Sequence, residues 1–357
     1  MKKIVLVHLF NDRSGSPKVL SQVARILNKR GFELDVLTSD HKDGFLNDIP
    51  GKRINLFYRR KENKVATLFL YLISQVHLFY LCLRYIRDDV VFYVNTMMPA
   101  GAAIAAYLMN KEVIYHVHET SIRPAILKKF LRLVIRLTAD KVIFVSRYLE
   151  EVEGFEKKQQ VVIPNAIEWA GCVESKLEKK DSFNVLMVCS LKDYKGIPEF
   201  FKLARALSVR DDIRFTLVLN ADREDVERLS LEKEVPNNVR CIPRQSCVKA
   251  FFQEADLLMS MSRPDECIES FGLTVLEGMH YGLPIIAPPV GGPAEIVRDG
   301  REGYLVSCYE TQRIADIICR LVSDENLYFR LAQNARLRAS EFSMASFEEK
   351  LVDFICS

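Results

Sequence analysis

Hydrophobic positions in this chain follow two alternating patterns. Short apolar runs recur at intervals, and between them apolar residues return with the spacing of a helix face. The runs are Lys3–His8, Glu33–Thr38, Val90–Asn95, Glu112–His118, Lys141–Ser146 and Gln160–Ile163, then Asn184–Cys189, Arg214–Asn220, Val239–Ile242, Leu257–Ser260 and Ile285–Ala287. Strands spaced by helices imply parallel sheets built from right-handed crossovers. The series breaks at Pro164-Asn165-Ala166 and the polar stretch through Lys179-Lys180-Asp181. The expected organisation is a first domain over 1–165, a linker over 166–181, a second domain over 182–340 and a C-terminal helix within 341–357. Two doubly wound α/β sheets with a ligand cleft between them follow, because such sheets bind ligands at the carboxyl ends of their strands.

One helical stretch stands apart. Val65–Leu83 is a long apolar run with Thr67, Ser74, Gln75 and His77 inside it and basic residues at both ends. The polar group near its centre argues against a span. A core helix of the first domain is the first expectation, and insertion in a membrane interface the second. Ile126–Leu137 interleaves apolar residues with Lys128, Lys129, Arg132 and Arg136. That pattern fits a solvated face or a membrane-surface helix.

Composition narrows the classes. The 357 residues suffice for two domains that each bury a core. A hydrophobic fraction of 49% with 27% charged residues is that of a soluble globular protein. Nine scattered cysteines, with no C-x-x-C pair and no His/Cys cluster, read as buried free thiols in a reducing compartment, with neither disulfides nor zinc expected. The net charge of +3 hides an asymmetry. Residues 1–165 carry 26 Lys and Arg against 16 Asp and Glu, and residues 166–357 carry 24 against 31. A basic first half points to an anionic membrane surface or a pyrophosphate-bearing partner. No basic-aromatic module is present and the second half is acidic, so no nucleic-acid partner is expected.

The densest chemistry lies in Cys267–Met279. Glu269 and Glu277 stand eight residues apart around Gly272, which opens an apolar, helix-like run ended by Gly282-Leu283-Pro284. Free N–H groups near Gly272, Leu273 and Thr274, with the positive end of a helix dipole behind them, suit a phosphate. Carboxylates on either side suit hydroxyl-rich groups such as a sugar and a ribose, and together they describe a nucleotide sugar. The same spacing also fits an ordinary amphipathic helix with a capping serine. Ser190, Lys192 and Lys195 follow the first strand of the second domain, where a Lys-Gly turn can offer an ammonium to a diphosphate. His116 and His118 share one face of a strand that ends beside Glu119, which is too small a set for a metal. Asn11–Pro17 forms a small-residue loop after the first strand. No G-x-G-x-x-G, G-x-S-x-G or Walker motif occurs, which argues against a dinucleotide-binding dehydrogenase.

The run continues through Gly291-Gly292-Pro293-Ala294-Glu295, Asp299-Gly300 and Gly303-Tyr304-Leu305. It resembles the donor-binding half of retaining glycosyltransferases of the GT-B fold, in the large family 4 of group 1 enzymes. Glu269 and Glu277 match that family's E-x7-E motif. Lys195 matches the lysine of its G-R-L-x-x-x-K-G pattern, while Ser190 stands where the arginine is usual. Lys192 is placed either to supply the missing charge or to be simply solvated. Ile163-Pro164-Asn165-Ala166 is similar to the hinge I-P-N-G, with alanine for glycine. The usual glycine pair after the first strand is reduced to Gly15. The resemblance runs through 182–306 and 112–167 and is slight before residue 100.

It implies two Rossmann-like domains facing across a cleft that closes for catalysis, with the last helix, roughly Met344–Ile355, packing back on the first domain. It implies catalytic roles for His118, Lys195 and Glu269. Donor contacts fall to Gly15, Ser190, Lys192, Ile242, Arg244, Phe271, Gly272, Leu273, Thr274 and Glu277, and acceptor contacts to Arg13, Ser14 and Ser16. Arg263 and Glu266 either border the sugar pocket or are loop charges. The implied reaction is a retaining, front-face transfer of a hexose-type sugar, with UDP as the first choice of nucleotide, to a lipid-pyrophosphate-linked glycan in polysaccharide biosynthesis. It needs no cofactor and no metal, and it sits at the inner face of the cell membrane. The alternatives are a soluble acceptor, or a non-catalytic nucleotide-sugar-binding subunit.

Overall fold

The computed structural model describes residues 3–59, 61, 63–168 and 182–357. Residues 169–181 of the expected linker lie outside the described residues. The chain forms two compact units, Met1–Asn165 with Ala345–Ser357, and Ala166–Met344.

The first unit runs β1 (Lys3–Val7), α1 (Gly15–Lys29), β2 (Glu33–Ser39), β3 (Lys52–Leu56), α2 (Lys64–Cys82), β4 (Val90–Asn95), α3 (Ala100–Leu108), β5 (Val113–Val117), α4 (Ala125–Thr138), β6 (Lys141–Phe144), α5 (Arg147–Glu153) and β7 (Gln159–Val162). Its sheet has the order β3-β2-β1-β4-β5-β6-β7, and every pairing is parallel. Helices on both faces of a parallel sheet leave no solvated side. That is why β4 and β5 are buried at every position. The edge strand β3, with the polar sequence KRINL, exposes three of its five residues. The direction of winding reverses at β1, so its carboxyl end and that of β4 flank the switch point.

The second unit runs β8 (Phe183–Cys189), α6 (Ile197–Ala206), β9 (Ile213–Leu219), α7 (Arg223–Glu232), β10 (Val239–Ile242), α8 (Lys249–Glu254), β11 (Leu257–Met259), α9 (Leu273–His280), β12 (Ile285–Ala287), α10 (Pro293–Ile296), β13 (Gly303–Leu305), α11 (Thr311–Ser323) and α12 (Glu325–Ser340). Its all-parallel sheet has the order β10-β9-β8-β11-β12-β13, with the switch point between β8 and β11. Val185, Met187, Phe200, Phe215, Leu257 and Ile318 meet in one buried cluster between sheet and helices. Each such side chain contributes roughly 1.5–3 kcal/mol on burial. Helix α13 (Met344–Cys356) packs within the first unit beyond Met344. There Glu348 pairs with Arg30 at 2.6 Å, and Lys141 Nζ donates to the Ile355 carbonyl at 3.3 Å.

Helix α2 departs from the expected core helix. Val65, Phe69, Leu72, Ile73, Val76 and Tyr80 are exposed. Of the polar group near its centre, Ser74 and Gln75 turn inward while His77 is exposed. Ser74 is fully buried, and Gln75 Oε1 accepts the Gly101 N–H at 3.0 Å. The cause is the close approach of α3, whose Gly101 would carry a Cβ only 2.2 Å from the Gln75 carbonyl oxygen. Such contact needs small residues and polar partners where the two helices touch; Tyr71 and Leu78 are buried on the inner face, and the large apolar residues named above are left outside. Val65–Tyr85 is long and apolar enough to cross a membrane by length and composition, and only 22% of that window is buried.

Candidate functional site

In the second unit, the two loops at the switch point carry the charged residues that the sequence singles out. The loop leaving β8 holds Ser190, Lys192 and Lys195, and the loop leaving β11 holds Ser262, Arg263, Glu266 and Glu269. Lys195 Nζ forms an ion pair with Glu269 Oε1, and Ser262 Oγ donates to the same oxygen at 2.9 Å. The Lys195 and Glu269 side chains are 18% and 28% exposed, so both charges stay within reach of a ligand. Burial opposes ionisation of Glu269, but the Lys195 ammonium and the Lys195 and Ser262 hydrogen bonds outweigh it and hold the carboxyl below its usual range. Burial likewise works against the Lys195 charge, and the neighbouring carboxylate keeps its pKa above the usual lysine value.

Glycines make this geometry attainable. Gly196 ends the Lys195 turn at φ +83°, and a Cβ there would lie 2.0 Å from the Met261 carbonyl oxygen. Only glycine lets the two loops approach this closely. The Arg263 N–H then donates to the Tyr194 carbonyl at 2.8 Å, while the Arg263 guanidinium is held by Glu199 at 2.8 Å and Glu266 at 2.7 Å. Behind Glu269, the Gly292 N–H donates to the Glu269 carbonyl at 2.9 Å.

Helix α9 starts after Gly272, which is left-handed at φ +102°. The first-turn amides of Leu273 and Thr274 have no partner within the helix, and the positive end of its dipole lies there. Phe271 is buried edge-on against Phe342, with ring centroids 6.0 Å apart. Glu277 follows in the second turn, half-buried. Ile242 ends β10, and Arg244 beyond it is engaged by Asn220 at 2.8 Å and Asp222 at 3.2 Å on the loop leaving β9. Ser190 is half-buried, and its carbonyl accepts the Lys192 N–H at 2.8 Å. Lys192 is exposed and has no ion-pair partner among the described residues.

In the first unit a polar network occupies the carboxyl ends of β1, β4 and β5. His118 Nε2 lies 3.0 Å from Asn95 Oδ1, and Asn95 Nδ2 lies 3.0 Å from His8 Nδ1 and donates to the Ser16 carbonyl at 3.2 Å. His116 is fully buried against the Tyr93 hydroxyl at 2.7 Å, with its ring centroid 4.3 Å from that of His118. Burial, then His116 and His8, hold the His118 pKa well below its usual value. Glu119 accepts the Met97 N–H at 3.1 Å and the His118 N–H at 3.3 Å. Burial pushes its carboxyl up to about 7 against those bonds. Thr96, between them, is left-handed at φ +77°, a strained conformation for a β-branched residue. Arg13 pairs with Asp43 beside the Phe45 ring, and the Ser14 N–H is taken by Asp12 at 3.0 Å. Gly15 begins α1, exposed.

Sequence reasoning passed over Ser262, His8 and Asn95. The last two left a usable signal, since each is a polar residue at the carboxyl end of an apolar run beside the switch point. Ser262 left none. Among the described residues no group of three or more His, Cys, Asp or Glu is placed to hold one cation.

Two family models match the chain. Glycosyltransferase Family 4 matches residues 13–169, and Glycosyl transferases group 1 matches residues 173–338. An uncharacterised glycosyltransferase of Methanocaldococcus jannaschii is 26% identical over 257 residues, 69% of each chain. The N-acetyl-alpha-D-glucosaminyl L-malate synthase of Bacillus anthracis is 32% identical over 133 residues, which is 37% of this chain and 32% of that enzyme. The Anabaena protein HepE, solved in complex with UDP and glucose, shares the GT-B fold with a TM-score of 0.81 over 100% of both chains, at 19% identity.

Proposed function

The chain belongs to the group 1 glycosyl transferases of family 4, and from that premise we propose that it transfers a hexose-type sugar from UDP to a lipid-linked glycan acceptor with retention of anomeric configuration. The observation that carries this reading is the Lys195–Glu269 pair, set at the switch point of the second sheet beside the amino end of α9. A diphosphate leaving group gathers negative charge as the glycosidic bond breaks. Lys195 and the Leu273 and Thr274 amides meet that charge with donors already in place. Glu269 stays ionised at neutral pH and accepts hydrogen bonds from sugar hydroxyls. Glu277, one helical turn on, takes the ribose hydroxyls. The UDP and glucose bound to HepE support the choice of donor.

A release assay over UDP-, GDP- and dTDP-hexoses, with and without a lipid-pyrophosphate glycan, tests the reading. Acceptor-stimulated release from a UDP-hexose is the expected result. Release only from another nucleotide, or release that the acceptor leaves unchanged, overturns the donor or the acceptor assignment respectively.

The proposed acceptor lies in a membrane, and the first unit has the surface for one. On α4 the exposed positions are Ile126, Phe130, Leu133 and Leu137, with exposed Lys129 and Arg136 among them. These positions on α4 and the exposed apolar face of α2 each offer apolar surface, with positive charge on α4, which suits the interface of an anionic cytoplasmic leaflet. The protein is expected to sediment with anionic vesicles at low salt, with binding reduced by Phe69→Ser and Phe130→Ser together. Absence of sedimentation at low salt rules out peripheral membrane contact.

A further inference from the structure

We propose that Asn95 is a positioning residue that fixes the tautomer of His118, so that His118 presents a bare Nδ1 to a hydroxyl group of the sugar substrate. The substrate class rests on the function proposed above; the tautomer does not. The Ser16 carbonyl can only accept. It lies 3.2 Å from one end of the Asn95 amide, so that end is the NH2 group. The same nitrogen is 3.0 Å from His8 Nδ1, which therefore accepts and leaves the His8 proton on Nε2. The other end of Asn95 is the oxygen, again acceptor only, and it lies 3.0 Å from His118 Nε2. That ring nitrogen must carry a hydrogen.

A neutral imidazole carries one ring N–H, so Nδ1 of His118 is an acceptor. His118 is kept neutral by burial and by the two histidines around it. Its Nδ1 has no hydrogen bond among the described residues. The sequence of constraints runs from the start of α1 through β4 to the end of β5, all within one unit. Asn95 is 0% exposed and uses its NH2 group on two acceptors and its oxygen on one donor, so the amide has no room to turn over. A ligand group that donates, such as a sugar hydroxyl, is matched by Nδ1. A phosphate oxygen meets a lone pair and is repelled. His118 thereby selects the hydroxyl-bearing part of a substrate over its anionic part.

Long-range proton–nitrogen NMR on the full chain, with 15N-labelled histidine, reads the tautomer directly. The chain has six histidines, and His118 is assigned by difference from the His118→Gln spectrum. The expected result is an Nε2–H imidazole for His118 at neutral pH in the wild type. Asn95→Ala is expected to release that preference into a mixture with the Nδ1–H form. Asn95→Asp keeps the shape, places an anion against both imidazoles, and is expected to drive His118 to the doubly protonated form. In both variants the turnover number is expected to fall, by up to about 100-fold, with the donor KM little changed. An Nδ1–H tautomer in the wild type, or a tautomer unaltered in both variants, overturns the proposal. Those readings need no turnover, so they stand apart from failure of the donor panel.

Discussion

Replacing Lys195 with alanine is expected to lower the transfer rate by about 10²–10³-fold while the protein stays folded. Lys195 lies in a short turn between β8 and α6, and its backbone role there, an N–H donated to the Lys192 carbonyl at 3.0 Å, is one that alanine keeps. The side chain is the part at stake. Without it the departing diphosphate loses the ammonium that Glu269 and partial burial hold in place. Lys192, exposed and without an ion-pair partner among the described residues, is the nearest lysine in sequence, and it has no carboxylate to fix its position. Lys195→Arg keeps the charge but not the compact ammonium that fits beside Glu269 and Ser262, and is expected to fall between the two. Glu269→Ala is expected to lose transfer as well, because Lys195 then has no anionic neighbour and the sugar hydroxyls no acceptor. Steady-state turnover with the UDP-sugar, alongside circular dichroism, checks each variant. Near-normal turnover in Lys195→Ala overturns its role in stabilising the leaving group.

The fold was legible where burial makes sequence monotonous. Val90–Asn95 and Ile285–Ala287 are buried strands with the limits expected of them, and β1, β5 and β8 differ from expectation only at their ends. A strand covered on both faces must be apolar throughout, and such runs stand out. Two strands were passed over for the opposite reason. β3 is an edge strand with a polar sequence, and β13 is three residues long and opens with the glycine whose Cβ would lie 1.9 Å from the Ile285 carbonyl oxygen. Helix α2 shows a different limit. Its composition suggests a core, but which face turns inward is decided by what packs there, and Gly101 of α3 is twenty-six positions away from Gln75 in sequence. The site divides in the same manner. Glu269, Glu277 and Lys195 were readable because one short motif or turn holds each. Asn95 acts through partners that the sheet order brings in from β1 and β5, which no local spacing records, and Ser262 meets Glu269 through the folding of a single irregular loop.

The second large effect is expected at Gly292. In Gly292→Ala the new Cβ would lie 2.2 Å from Phe271 Cα and 2.5 Å from its nitrogen, distances at which backbone must move. Gly292 itself has φ −58° and ψ −38°, a conformation any residue adopts, so the strain arises from the contact alone. The segment that must yield is Glu269–Gly272, which carries the carboxylate proposed to bind the sugar and the entry to α9. Overpacking of this kind costs about 1–3 kcal/mol. The donor affinity is expected to fall by more than about tenfold, since displacement of Phe271 moves both the Glu269 carbonyl that Gly292 binds and the amides that follow it. Gly300→Ala separates the two kinds of cost. Gly300 is left-handed at φ +71°, with nothing within 4 Å of a new Cβ. Its alanine variant is expected to lose about 1–2 kcal/mol of stability and to bind the donor normally. Thermal melts and calorimetric titration of a UDP-sugar compare the pair. Normal donor affinity in Gly292→Ala would show that the close packing behind Glu269 does not shape the donor site, and would leave the pairing with Lys195 as what holds that carboxylate.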